Sequence, residues 1–176
     1  MRGFVLSELV VSTGISAVIA VALLVAFKGG QISWRTGGAQ MAASYEVRRG
    51  LDAMSRELLL SRSDQVDVPA DGSWYGSIIF HVPKDQNGDG TVLDANGALE
   101  WSPTSVSFSL GGTSGDQILR TQGPATRVLA NGVQTLQFRR VVAAPDRVEI
   151  LMTVRRGSSG DFQRDATLNT TVRLRN

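Results

Sequence analysis

The chain of 176 residues has no cysteine and a single histidine. A disulfide framework and a thiolate metal site are thereby excluded, and the domain must be held by its core alone. His81, in a strand-like stretch, has no cysteine and no evident serine–carboxylate arrangement around it, so a histidine-based catalytic triad has no candidate nucleophile or orienting partner. A satisfied or surface histidine is the simpler reading. Net charge is only +2 and the arginines are dispersed, which argues against a nucleic-acid binder. No phosphate-binding glycine loop is present, because Gly111-Gly112-Thr113-Ser114-Gly115 is followed by neither lysine nor helix. Aromatics are few, and nineteen glycines fit a β-rich domain with many turns.

The N-terminus is where the sequence is richest. Leu9 to Phe27 contains no Asp, Glu, Lys or Arg. With Phe4 to Leu6 the apolar stretch reaches about 24 residues, and roughly 20 suffice to span a bilayer as helix. Arg2 precedes it, Lys28 follows it, and Glu8 interrupts its start. A carboxylate near hydrocarbon costs roughly 2.5 kcal/mol or more unless it is paired, so Glu8 requires a partner. A secretory signal peptide fits poorly. The basic leader is very short, and Ala26-Phe27-Lys28 is not a small-x-small cleavage site. An ordinary single-pass anchor accounts for the length but not for Glu8.

Gly3, Phe4 and Glu8 together resemble the type III signal of type IV prepilins and pseudopilins: a short basic leader ending in glycine, then phenylalanine, with glutamate four residues further on. The resemblance implies cleavage between Gly3 and Phe4 by a prepilin peptidase, which would then methylate the new Phe4 amino group. Glu8 would pair with the Phe4 ammonium of a neighbouring subunit, and losing one partner of such a buried pair costs about 3–5 kcal/mol. It also implies an inner-membrane precursor with Arg2 cytoplasmic, as the positive-inside bias suggests, and the C-terminal domain in the periplasm. An assembly ATPase and a platform protein would act on it before it joins other pilins at the cell surface. The proline that major pilins often carry in this helix is missing. Gly29-Gly30 and Gly37-Gly38 could supply local unwinding instead, or serve as simple flexible joints.

From Gln40 to about Arg62 the pattern is amphipathic. Val47, Leu51, Met54 and Leu58 recur at spacings of four, three and four, and Met41 and Tyr45 are expected to extend the stripe. Glu46, Arg48, Arg49, Asp52, Arg56 and Glu57 take other faces. The stripe is expected to pack on a sheet rather than to form a partner-binding groove. The two parts make a helix of up to about 59 residues, roughly 88 Å long. That is too long for a domain of this size to bury.

After Asp64-Gln65-Val66-Asp67 the period becomes two. Strands are expected at Ile78 to Val82, at Val106, Phe108 and Leu110, over Gln117 to Thr121, over Gly132 to Val142, along Val148, Ile150, Met152 and Val154, and from Ala166 to Leu174. Gly111-Gly112, Asn131-Gly132, Pro145-Asp146 and Gly157 to Gly160 are the turn signals. The fold class is α+β: a long N-terminal helix, membrane-spanning in its first half, packed on a C-terminal antiparallel meander with one buried face. The divisions are a leader over 1–3, a membrane or filament-core helix over 4–28, an amphipathic helix over 29–63 and a β-rich domain over 64–176. The stretches "RRGLDAMSRELLLS", "GVQTLQFRRV" and "TTVRLRN" are loosely similar to PilW-type minor pilins and GspJ-type pseudopilins. The resemblance therefore implies a structural, non-enzymatic minor subunit acting at filament initiation or at the tip. A pseudopilin of a type II secretion system, or an anchored periplasmic binding domain that never polymerises, are the alternatives.

One candidate metal site stands out. Asp85-Gln86-Asn87-Gly88-Asp89-Gly90 places oxygen ligands on alternate residues before a glycine turn, as a Ca2+ loop requires. Asp85, Asn87 and Asp89 would give side chains and Thr91 a carbonyl. Asn96 stands where an EF-hand has glutamate, and Asp94 or Glu100 could substitute. A polar hairpin loop is the alternative, since Asp and Gly favour one anyway. Trp34, Trp74 and Trp101 read as packing or interface residues, with Trp34 suited to a membrane interface. Arg139-Arg140 and Arg155-Arg156 read as solvated strand and turn charges.

Overall fold

The computed structural model describes residues 6–156 and 163–175. Helix α1 (Leu6–Leu58, 53 residues) runs without a break. At 1.5 Å per residue it is about 80 Å long. Gly29, Gly30, Gly37 and Gly38 are all helical, so the backbone is not unwound there. Every residue from Glu8 to Arg35 is exposed. The last part of the helix is different: Ala43, Val47, Leu51, Met54 and Leu58 are buried against strands.

Those strands are β1 (Ser77–Phe80), β2 (Val106–Gly111), β3 (Gln117–Gln122), β4 (Ala125–Asn131), β5 (Val133–Val141), β6 (Ala144–Arg156) and β7 (Arg164–Arg173). They form two antiparallel sheets, β1-β2-β3-β4 and β5-β6-β7, where the sequence suggested one meander. The handover is a single residue. Gly132, between β4 and β5, has φ +69°, and a Cβ there would lie 2.6 Å from the Arg155 carbonyl oxygen. Only glycine combines that conformation with that approach. The Tyr75–Phe138 bridge ties the sheets together a second time.

Alternation decides which side chains reach the core. Ile78, Phe80, Val106, Phe108 and Ile118 point inward from the first sheet. Phe80 and Phe108 are 5.3 Å apart between ring centroids, a tilted aromatic pair. In β5 the register shifts between Val133 and Thr135, which lets Val133 and then Leu136 and Phe138 share one face. Val148, Ile150, Met152 and Val154 line β6, and Ala166 and Val172 line β7. Leu168 lies on the same side of β7 but remains 38% exposed.

Four expectations need correction. Met41 and Tyr45 do not extend the core stripe; they are 76% and 68% exposed. At about 100° per residue they lie six and two positions before Val47, on the far side of the helix, whereas Ala43 lies four before it. Strand β4 was not expected, because its pattern shows four exposed residues before two buried ones and so lacks alternation. The β5–β6 turn is Val142-Ala143, while Pro145 and Asp146 sit within β6, beside a register shift between Arg140 and Val141. Such a bulge is where a strand tolerates proline. The first strand ends at Phe80 rather than Val82. The expected Gly157–Gly160 turn lies outside the described residues.

At Gly50 helix and sheets lie in close contact. A Cβ there would lie 3.1 Å from the Met152 methyl and 3.2 Å from the Ala130 Cβ, so the missing side chain sets the helix-to-sheet distance. Two ion pairs flank this contact: Arg120 donates to both Glu57 oxygens at 2.7 and 2.8 Å, and Arg156 donates to Glu46 Oε1 at 2.8 Å.

Candidate functional site

Helix α1 carries the first candidate. It is long and apolar enough to cross a membrane, and its most apolar 18-residue stretch is wholly unburied. Leu9, Val10, Val11, Ile15, Val18 and Ile19 each expose more than half of their surface. Apolar side chains surround this half of the helix on every side, which suits hydrocarbon or a bundle of helices and not water. Glu8 is exposed at the start of this surface and forms no ion pair among the described residues. Gly3 and Phe4, the expected processing residues, lie outside the described residues. Trp34 is 85% exposed, about one helical turn beyond Gly30.

The oxygen-rich loop is the second candidate. Asp85 accepts the Gly88 N–H at 2.6 Å on one oxygen and the Gly90 N–H at 2.9 Å on the other. Asn87 Oδ1 accepts the Asp89 N–H at 2.9 Å. Asp89 Oδ1 accepts both the N–H and the hydroxyl of Thr91 at 2.8 Å. Asp94 Oδ1 accepts the N–H groups of Asn96 and Ala98, each at 2.8 Å. The Thr91 hydroxyl and amide hold the Asp89 carboxyl below its ordinary value, and the Ala98 and Asn96 amides do the same for Asp94. Gly88 and Gly90 take φ of +78° and +85°, which lets the chain fold back onto these oxygens. Asp85, Asn87, Asp89, Thr91 and Asp94 thus share one exposed loop whose carboxylates are held by its own amides. Among the described residues no three His, Cys, Asp or Glu side chains form a metal-binding group.

The remaining singled-out residues have structural surroundings. His81 lies beside the Ser102 carbonyl, with Nδ1 2.8 Å from that oxygen. The Arg139 guanidinium stacks 4.5 Å from the Trp74 ring centre and pairs with Glu149. Arg62 lies 5.7 Å from the Trp101 ring centre and pairs with Asp64. The reading of Arg140 and Arg156 as solvated charges is overturned. Arg140 is 8% exposed and donates to the carbonyls of Val68 and Pro145, at 3.0 Å and at 2.8–3.0 Å. Burial without a carboxylate partner pulls its pKa below the usual arginine value. Arg156 pairs with Glu46, and Arg155 with Asp165.

The helix face opposite the core escaped the sequence reading. Tyr45, Arg48, Arg49, Asp52, Ala53 and Arg56 line a groove of about 440 Å³. Its signal was the i, i+3, i+7 spacing of Tyr45, Arg48 and Asp52, which marks a second stripe. A second hollow of about 390 Å³, lined by Asp64, Asp67, Ile79 and His81 among others, opens beside β1.

Compared with known protein families, with curated proteins and with solved structures, the chain gives no match. The structure itself defines the class: an α+β chain with one long N-terminal helix suited to a single-pass membrane anchor, and two antiparallel sheets of four and three strands.

Proposed function

We propose that this chain is a non-enzymatic filament subunit of the type IV pilin class, anchored in the inner membrane as a precursor and assembled through its N-terminal helix. The observation that carries the proposal is Glu8 at the head of a wholly unburied apolar helix. A membrane anchor gains nothing from a carboxylate in that position. A helix that leaves the bilayer to pack among its own kind gains a specific, register-setting charge pair with a neighbour's Phe4 ammonium. Gly3 and Phe4 stand where the processing signal requires them. Prepilin peptidase, the assembly ATPase and the platform protein are the partners this pathway uses, and nucleic acid is not among them. Within the class we assign the chain to the minor subunits that act at filament initiation or at the tip. Its long irregular loops suit contacts with unlike subunits better than a uniform lattice. A type II secretion pseudopilin is the neighbouring assignment.

Replacing Glu8 by alanine is the test. Membrane insertion should survive, because the apolar span is unchanged, while incorporation into filaments should fall at least about 100-fold, as a cost of about 3–5 kcal/mol implies. Unchanged incorporation would leave a non-polymerising anchored domain as the better reading.

A structural Ca2+ in the loop from Asp85 to Asp94 is a separate part of the proposal. The side-chain oxygens of Asp85, Asn87 and Asp89 and the Thr91 carbonyl have the donor chemistry for it. Titration calorimetry is expected to give binding at about 10⁻⁴–10⁻³ M, the range of extracellular modules. The absence of both heat and a thermal shift would remove the ion from the account.

A further inference from the structure

Charge is segregated along this chain in a way its net value of +2 conceals. Residues 64–116 hold eight Asp and Glu and one lysine, while the other seventeen Lys and Arg lie outside that segment. The acidic segment includes a projecting arm. Its two sides are joined by the Pro83–Trp101 and Leu93–Leu99 bridges, and most residues between Asp85 and Ala98 are exposed. Asp85, Asp89 and Asp94 accept hydrogen bonds from the arm's own amides and form no ion pair among the described residues.

The opposite surface is the outer groove of α1. Arg48, Arg49 and Arg56 project from it, and none has an ion-pair partner among the described residues; Asp52 is the groove's one carboxylate. Tyr45 and Met41 continue it as exposed apolar surface. Three unpaired guanidiniums beside an exposed tyrosine form a face suited to a carboxylate-rich, partly apolar ligand. The arm offers both kinds of group, since Leu93, 45% exposed, and Val92, 39% exposed, lie between Asp89 and Asp94.

We infer that the groove formed by Tyr45, Arg48, Arg49 and Arg56 docks the acidic arm of a second copy of this chain. The two patches differ, so the contact is head-to-tail, and a copy that offers its groove still has its arm free. Contacts of that kind do not close on themselves unless a rotation makes a ring, so a few copies join in a row where a filament starts or ends. The inference rests on the proposed filament role only for why the contact would repeat; its chemistry stands on charge complementarity, which also speeds encounter at low salt.

Cysteine cross-linking tests it on the full chain in detergent, where the absence of native cysteine leaves only introduced thiols. One copy carries Ala42→Cys beside the groove and another carries Ala95→Cys on the arm, both at exposed alanines. With a short bis-maleimide, mixed 42–95 products should exceed both same-site products several-fold. They should fall steeply between about 0.05 and about 0.5 M salt, where the screening length shortens to a few ångströms. R48E/R49E on the groove copy should abolish the mixed product, and N96K/A98K on the arm copy should lower it with the unaltered groove. Same-site products alone, or a salt-independent yield, would overturn the contact. So would an adduct of the Ala42→Cys copy found only with an unlike subunit in native envelopes. Because this readout precedes any assembly, its failure leaves the Glu8→Ala experiment untouched, and a normal cross-link beside unchanged Glu8→Ala filaments would sink only the assembly role.

Discussion

Arg140 shows how a single side chain ties distant pieces together. It reaches from β5 to the backbone of Val68, ten residues beyond the end of α1, and to Pro145 in the β6 bulge. Replacing it by methionine keeps the stem but leaves buried carbonyls without donors. Chemical denaturation should show a loss of about 3 kcal/mol. Gly132→Ala should cost about 2 kcal/mol in the same assay, because it combines a positive φ with a close approach to the Arg155 carbonyl. Carboxylates make the stability of the fold depend on pH. Asp64, Asp89, Asp94 and Asp165 all have folded values below the ordinary 3.8. Their contribution is therefore complete above that value and is lost as pH falls through the folded values. Thermal melts should be flat from neutrality down to about pH 5 and drop below about pH 4. At this scale the sequence showed what was local: Glu8 within its apolar run and the alternating oxygens of the loop at 85–94. It did not show Arg140 as buried, because its partners lie more than seventy residues away at Val66 and Val68.

Among elements, α1 holds the clearest contrast. Glycines at 29, 30, 37 and 38 are helical with open space where a Cβ would go. Alanine at each should therefore stabilise the helix by about 1 kcal/mol, visible as higher helicity on heating. Gly50 has the opposite context, touching Met152 and Ala130, so Gly50→Leu should destabilise by about 1–3 kcal/mol through overpacking. Strands were legible wherever one face is buried, as in Val148 to Val154, since burial imposes the two-residue period. Strand β4 was not, because its first four residues are exposed on both faces. Met41 and Tyr45 were misplaced for a related reason. Apolar residues near a stripe look like part of it until the rotation per residue is counted. The division into two sheets depends on one glycine conformation, which no periodicity reveals.

For the whole molecule, the α+β class and the placement of the sheets after a single long helix followed from a change of period near residue 64 and from the length of the apolar run. What the helix is for depends on chemistry at its tip. An 80 Å rod, about half of it bare and apolar, needs either a bilayer or a bundle around it. The proposed life of the protein uses both in turn, and begins with removal of the three-residue leader. Intact mass of the protein purified from cells with an active prepilin peptidase tests this most directly. The account predicts a chain that starts at Phe4 with a methylated amino group; a chain that still carries Met1, Arg2 and Gly3 would contradict it.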